Sequence, residues 1–236
     1  MTTGMTAQAQ LSRRHVLTGA LVGGAALALP FGSMGRAAPL PGEGVAAFRI
    51  IRADKRIGTH EISFERLADG GERVRTAIDI EVKVFGFSAY RYTHRAEEIW
   101  RRGVLDSLDT TTERSNGPDK RVRARRGGDT LRVTGSGGEH TVGGEVLTTS
   151  LWHRDTPAQS RLLGIEDGTL KTVEGSLIGR GPVVTPQGEV RAKRYAVRGE
   201  FARDLWYDPE GRLLRVAFTT DRDGSRIRLE PERLLG

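Results

Sequence analysis

The sequence predicts an all-β fold: a single antiparallel curved sheet closing into a barrel or half-barrel, with one or two short helices around 150–163. Three observations predict it. Residues 73–84 alternate strictly, Val74, Thr76, Ile78, Ile80, Val82 and Val84 on one face and Arg73, Arg75, Ala77, Asp79, Glu81 and Lys83 on the other. A strand with one dry and one wet face belongs to an antiparallel sheet. The chain carries 31 Gly against 9 Pro in 236 residues, so turns are frequent and made mainly by glycine. No helical segments alternate with the strands, which excludes a parallel α/β arrangement.

The first element is an address. Residues 1–37 hold Arg13, Arg14 and Arg36 and no acid. Ser12-Arg13-Arg14-His15-Val16-Leu17 is similar to a twin-arginine export signal, and the apolar run Val16–Leu29 follows it. That run, broken by Gly19, Gly23 and Gly24, falls short of the roughly 20 apolar residues of a membrane span. Gly35-Arg36-Ala37 offers small residues to a signal peptidase, and Pro39 disfavours a cut one residue later, so cleavage is expected after Ala37. The expectation is a periplasmic protein delivered by the twin-arginine machinery or the general route, with 38–236 as one β-barrel-like domain.

The remaining elements follow in order. Glu61–Glu65 alternates, and Asp69-Gly70-Gly71 turns the chain into 73–84, so 57–84 reads as a hairpin. Phe87–Trp100 and Val104–Thr112 are strands rich in aromatic and β-branched residues. Asn116-Gly117 and Gly127-Gly128-Asp129 are turns around the alternating Arg121–Arg125, and Leu131 with Val133 marks a short strand. Gly135–Gly138 reads as a flexible loop. Residues 146–166 break the pattern: Pro157 separates two candidate short helices, a lid or plug. Strands resume over 164–172, 176–184, 190–201, 202–207, 213–220 and 225–229, for about eleven in all. Asp208-Pro209-Glu210-Gly211 and Asp221-Arg222-Asp223-Gly224 are hairpin turns.

The chemistry is narrowed by absence. The chain has no Cys, which excludes disulfides, thiolate metal sites and cysteine nucleophiles. No phosphate-cradling glycine loop is present, and Gly86-Phe87-Ser88-Ala89-Tyr90 lacks the final glycine of a nucleophile elbow. His60, His94, His140 and His153 stand too far apart for a local metal pair, so no metal and no cofactor are expected. Asp221 and Asp223 fit a turn better than a calcium loop. His94 and Glu98 share one strand face and form a candidate acid–base pair for a hydrolase, against the plainer reading of charge pairing. The arginine stripes at 121, 123 and 125 and at 226 and 228 sit among acids, without stacking aromatics on the same face, so nucleic acid is not an expected partner. Without residues 1–37 the chain keeps 34 basic and 30 acidic residues, a net charge of +4.

The aromatics are the strongest lead. Tyr92, Trp100, Trp152, Trp206 and Tyr207 are the candidate lining of an apolar cavity for a lipid or another hydrophobic small molecule, covered by 152–163. The competing reading is that they fill the core, which makes the protein a solid-core accessory or assembly partner of an envelope complex.

Leu205-Trp206-Tyr207-Asp208-Pro209-Glu210-Gly211-Arg212-Leu213 with Asp223-Gly224-Ser225, and Glu98–Leu105 ahead of Thr110-Thr111-Thr112 and Asn116-Gly117, resemble a bacterial exported family known as a domain of unknown function. Ile57-Gly58-Thr59-His60 and Ser150-Leu151-Trp152 extend the resemblance over nearly all of 38–236. It implies a periplasmic β domain and assigns no activity, substrate or catalytic residue.

Overall fold

The structure is a computed structural model that describes residues 42–220 and 223–235, the side chain of Val84 excepted. The expected export segment, with Arg13, Arg14 and the cut after Ala37, lies outside the described residues, as do Asp221 and Arg222.

Among the described residues, fifteen strands form one sheet. They are β1 Gly44–Arg52, β2 Lys55–Arg66, β3 Glu72–Val84, β4 Phe87–Arg101, β5 Val104–Arg114, β6 Lys120–Gly127, β7 Thr130–Gly135 and β8 Gly138–Gly143. Then come β9 Leu147–Thr148, β10 Arg161–Leu163, β11 Leu170–Thr185, β12 Gly188–Gly199, β13 Arg203–Tyr207, β14 Leu213–Thr219 and β15 Arg226–Arg233. The order across the sheet is 8-7-6-5-4-3-2-1-15-14-13-12-11-10-9. Two meanders therefore share a seam where β1 pairs with β15, Ile50 opposite Leu229. All pairs are antiparallel except the short β9–β10.

The sheet is open: β8 and β9 are its two edges. Only residues 144–146 connect them, and so short a tether holds the edges close together. Loop contacts replace a ladder there. Gly137 N–H donates to Asp167 O at 3.2 Å, and Arg114 pairs with Glu166 at 2.6 Å. A Cβ on Gly135 would lie 2.5 Å from Asp167 O, so only glycine permits this approach.

Four segments depart from the sequence reading. The expected helices around 150–163 are absent: the segment holds a single 3-10 turn, Thr156–Ala158, before β10. Its apolar residues are spaced for packing into a sheet interior, and Pro157 supports only that one turn. The expected loop at 135–138 is a tight hairpin joining β7 and β8. Strand β1 lacks alternation because Ala46, Ala47 and Phe48 are all buried beside a bulge at 47/48. The expected strand at 164–172 is mostly the loop that meets the β7–β8 hairpin, and β11 runs unbroken from Leu170. The strand 73–84 and its pairing with 57–66 are as the alternation requires, with Ile78 opposite His60.

The inward side chains of β2 to β5, among them Ile62, Phe64, Val74, Trp100, Leu105 and Leu108, point into one contiguous core, and the segment 146–165 threads through it with Val146, Leu147, Leu151, Trp152, Leu162 and Leu163 buried. At the other end of β3 and β4 the pairing outruns its neighbours. β2 leaves β3 after Ile80 and β5 leaves β4 after Tyr92, so residues 82–90 pair only with each other and project as a two-stranded arm.

Candidate functional site

The centre of the interior is a buried carboxylate. Glu98 lies on the inward face of β4 and is 1% exposed. Its Oε2 accepts the indole N–H of Trp100 at 2.8 Å and of Trp152 at 3.1 Å. Its Oε1 accepts the Thr148 hydroxyl at 2.8 Å, and Thr148 meets the Ser150 hydroxyl at 2.6 Å. Burial pushes the Glu98 carboxyl up from its ordinary range, and the hydrogen bonds from Trp152, Thr148, Trp100 and Ser150 act against that push.

The two indoles meet edge to face at 5.4 Å, and Phe64 meets Trp152 the same way at 5.7 Å. From β13 the Tyr207 hydroxyl donates to Leu151 O at 2.8 Å, with His153 O at 3.2 Å. Leu151 has φ of 67°, a conformation that bulky residues avoid and that its surroundings must impose. Glu98 from one wing of the sheet and Tyr207 from the other thus clamp the threaded segment. A gap beside Trp152 has a volume of about 10 Å³, at the lower limit for one water.

Three of the five candidate lining residues, Trp100, Trp152 and Tyr207, therefore come together, and they come together as core. Trp206 points to the opposite face, under the Arg194 guanidinium at 4.9 Å and among Val183, Ala192 and Leu214. Tyr92 is half-buried near Glu166 and stacks on His94 at 6.4 Å. The structure does not gather the five around one cavity.

The acid–base pair is on one face, as its spacing requires, but its members have separate partners. His94 Nδ1 meets Thr112 Oγ1 at 2.7 Å, and its Nε2 is buried with no partner. His60 lies across β3 from it, likewise with a buried, unpartnered Nε2. Burial lowers both imidazoles to about 4, and the proximity of His94 adds to the effect at His60. Both rings are neutral at pH 7. Among the described residues, no group of three His, Asp or Glu side chains gathers in a way that could hold a metal ion.

On the wet face of β2 to β6 an open groove of about 810 Å³ has Ser63, Ala77 and Thr111 along its floor. Arg75 is paired with Glu97 at 2.8 Å and Arg95 with Asp79 at 2.8 Å, and of the stripe at 121, 123 and 125, Arg123 and Arg125 both pair with Asp109. Residues that sequence reasoning missed are Thr148 and Ser150, which show no pattern of their own, and Phe85 and Phe87 at the arm's tip. For the last two a signal existed: Phe85-Gly86 occupies a two-residue hairpin loop where Asn-Gly is usual.

The profile of a family described as a domain of unknown function (DUF6134) matches residues 48–232. A search of the curated proteins finds no match. Among solved structures the chain is similar to a beta-barrel-like protein of the domain of unknown function DUF1849 from Brucella abortus, with a TM-score of 0.52 at 12% identity, over 80% of this chain and 95% of that one. That likeness concerns the fold.

Proposed function

The chain belongs to the DUF6134 family of domains of unknown function, and from its geometry we propose that it is a non-catalytic exported protein that works through its surface, as an accessory or assembly partner in the bacterial envelope. The observation that carries the reading is the filled interior. The residues a carrier would line its cavity with, Trp100, Trp152 and Tyr207, instead hold the segment 146–165 inside the sheet, leaving about 10 Å³ beside Trp152. Export through the twin-arginine machinery rests on Arg13-Arg14 and the apolar run behind them.

The test is native against denaturing mass spectrometry of the protein purified gently from an envelope fraction, with a native gel of the same fraction. The expected result is the bare chain mass on the spectrometer and a band larger than the chain on the gel. A defined excess mass lost on denaturation and recovered in organic extract would make the protein a carrier of a hydrophobic molecule and overturn the proposal.

A further inference from the structure

The arm at the end of β3 and β4 spends apolar surface in a way stability does not explain. Phe85 is 96% exposed and Phe87 79% exposed. Phe85 has φ of 50° and Gly86 φ of 84°, so a bulky residue sits in the left-handed region in a loop that favours Asn-Gly. Local preference and burial both argue against phenylalanine here, and such a combination points to a working residue.

The arm is also two-sided. Val82 pairs with Tyr90, Lys83 with Ser88 and Val84 with Phe87, so Ala89 is the extra residue of a bulge. The bulge shifts the alternation by one and brings Phe87 to the side of Val82 and Tyr90. The other side carries Glu81, Lys83 and Arg91, with Glu81 3.3 Å from Lys83 and 3.4 Å from Arg91. Going back from the tip, the rungs are Val84 with Phe87, Lys83 with Ser88, Val82 with Tyr90 and Glu81 with Arg91, so the phenylalanines lead and a tyrosine and two cations that share Glu81 follow. An apolar tip backed by an aromatic and by cations suits the acyl chains and phosphates of an anionic bilayer. Phe85 lies five residues past Ile80, the last β3 residue paired with β2, which is about 16 Å along the strand at about 3.3 Å per residue.

We propose that the β3–β4 arm is a membrane-docking element that inserts Phe85 and Phe87 into the interface of an anionic bilayer, with Lys83 and Arg91 against the lipid phosphates. The inference deepens the surface-working reading and rests on it.

The test is co-sedimentation of the full chain with vesicles of phosphatidylglycerol and phosphatidylcholine in equal parts, against phosphatidylcholine alone. The comparison is with a Phe85→Asn/Phe87→Ser double variant of the same chain, so any contribution of the N-terminal segment is common to both. Phe85→Asn puts the residue that the turn prefers at its positive φ, so folding is retained, which an unchanged thermal midpoint checks. A Phe87→Trp variant reports depth through quenching by brominated lipid. Expected are at least a tenfold loss of partitioning in the double variant, a severalfold loss in Lys83→Glu/Arg91→Glu, and quenching of Trp at 87. Equal partitioning of wild type and double variant would overturn the proposal, as would binding by neither. Self-association of the wild type that the double variant loses, with no difference on vesicles, would overturn it in favour of a second copy. A carrier result in the mass measurement above would sink the surface reading separately, because that measurement does not involve the arm.

Discussion

Replacing Glu98 tests whether its carboxylate serves as a shared acceptor or as a charge. In Glu98→Gln the amide oxygen can take the place of Oε2 and accept both indole N–H groups. The amide nitrogen then faces Thr148 Oγ1, a hydroxyl free to accept and to donate onward to Ser150. Every partner is kept and a buried charge is removed. The expected change at pH 7 is within about 1 kcal/mol of wild type, in either direction. Glu98→Ala strands two indole donors in a packed interior at about 1–3 kcal/mol each and leaves a cavity besides, for a loss of about 3–6 kcal/mol. The assay is urea unfolding at pH 5 and pH 8, followed by tryptophan fluorescence. The sign of the pH effect is fixed by the direction of the shift. A carboxyl raised in the folded state contributes stability that is whole below its unfolded value and is lost as pH rises through the folded one. Glu98→Gln should therefore gain on wild type between pH 5 and pH 8. If Gln costs as much as Ala at both pH values, the charge itself holds the segment and the acceptor argument fails.

Other perturbations reach the rest of the frame. Tyr207→Phe removes the hydroxyl that meets Leu151 O and should cost about 1–2 kcal/mol in urea unfolding with an unchanged slope. Gly175→Ala places a Cβ 1.9 Å from Pro157 O, and the β11 backbone cannot yield that far; a thermal scan should show a drop of many degrees or no folded protein. His60 and His94, lowered to about 4, stabilise the fold fully above about pH 6.5, and that contribution is lost as pH falls toward 4; each is worth about 3 kcal/mol. A His60→Gln variant should accordingly show a flatter stability profile between pH 6.5 and 4, while Asp223, held down at about 2 by bonds from Thr220 and Ser225, titrates below that window.

Where two readable signals coincided, the sequence and the structure agree. In 73–84 the alternation fixed the face, the Asp69-Gly70-Gly71 turn fixed the register, and β2–β3 pairs accordingly. Where a bulge breaks the alternation the period vanishes, as at Ala47 and Phe48 in β1, and the strand escaped notice. The segment 146–165 was legible as an exception and as a candidate lid or plug, but not as an extended, largely non-helical one. Its structure comes from long-range partners, Glu98 and Tyr207, fifty-odd residues away along the chain. The same distance hides the candidate site. His94 and Glu98 do share a face, as their spacing implies, yet nothing local says that each already has partners. The aromatics divided on the same ground, since composition cannot distinguish a tryptophan that lines a space from one that fills it.

The geometry that fills the interior also gives the arm its meaning. The chain has 7 Phe, 4 Tyr and 3 Trp, a small stock for a sheet of fifteen strands. Phe48, Phe64, Trp100, Trp152 and Tyr207 are buried, and much of the remaining core is made of Val, Leu, Ile and Ala. A fold so short of large side chains would gain most by placing every phenylalanine inside, where each contributes about 1.5–3 kcal/mol. Two of them stand instead at the end of a ribbon that buries almost nothing, one of them in a backbone conformation it resists. Stability therefore accounts for the aromatic centre and not for the aromatic tip. With Trp100, Trp152 and Tyr207 packed as core, the tip is where a second molecule would recover the apolar contact that folding leaves unused.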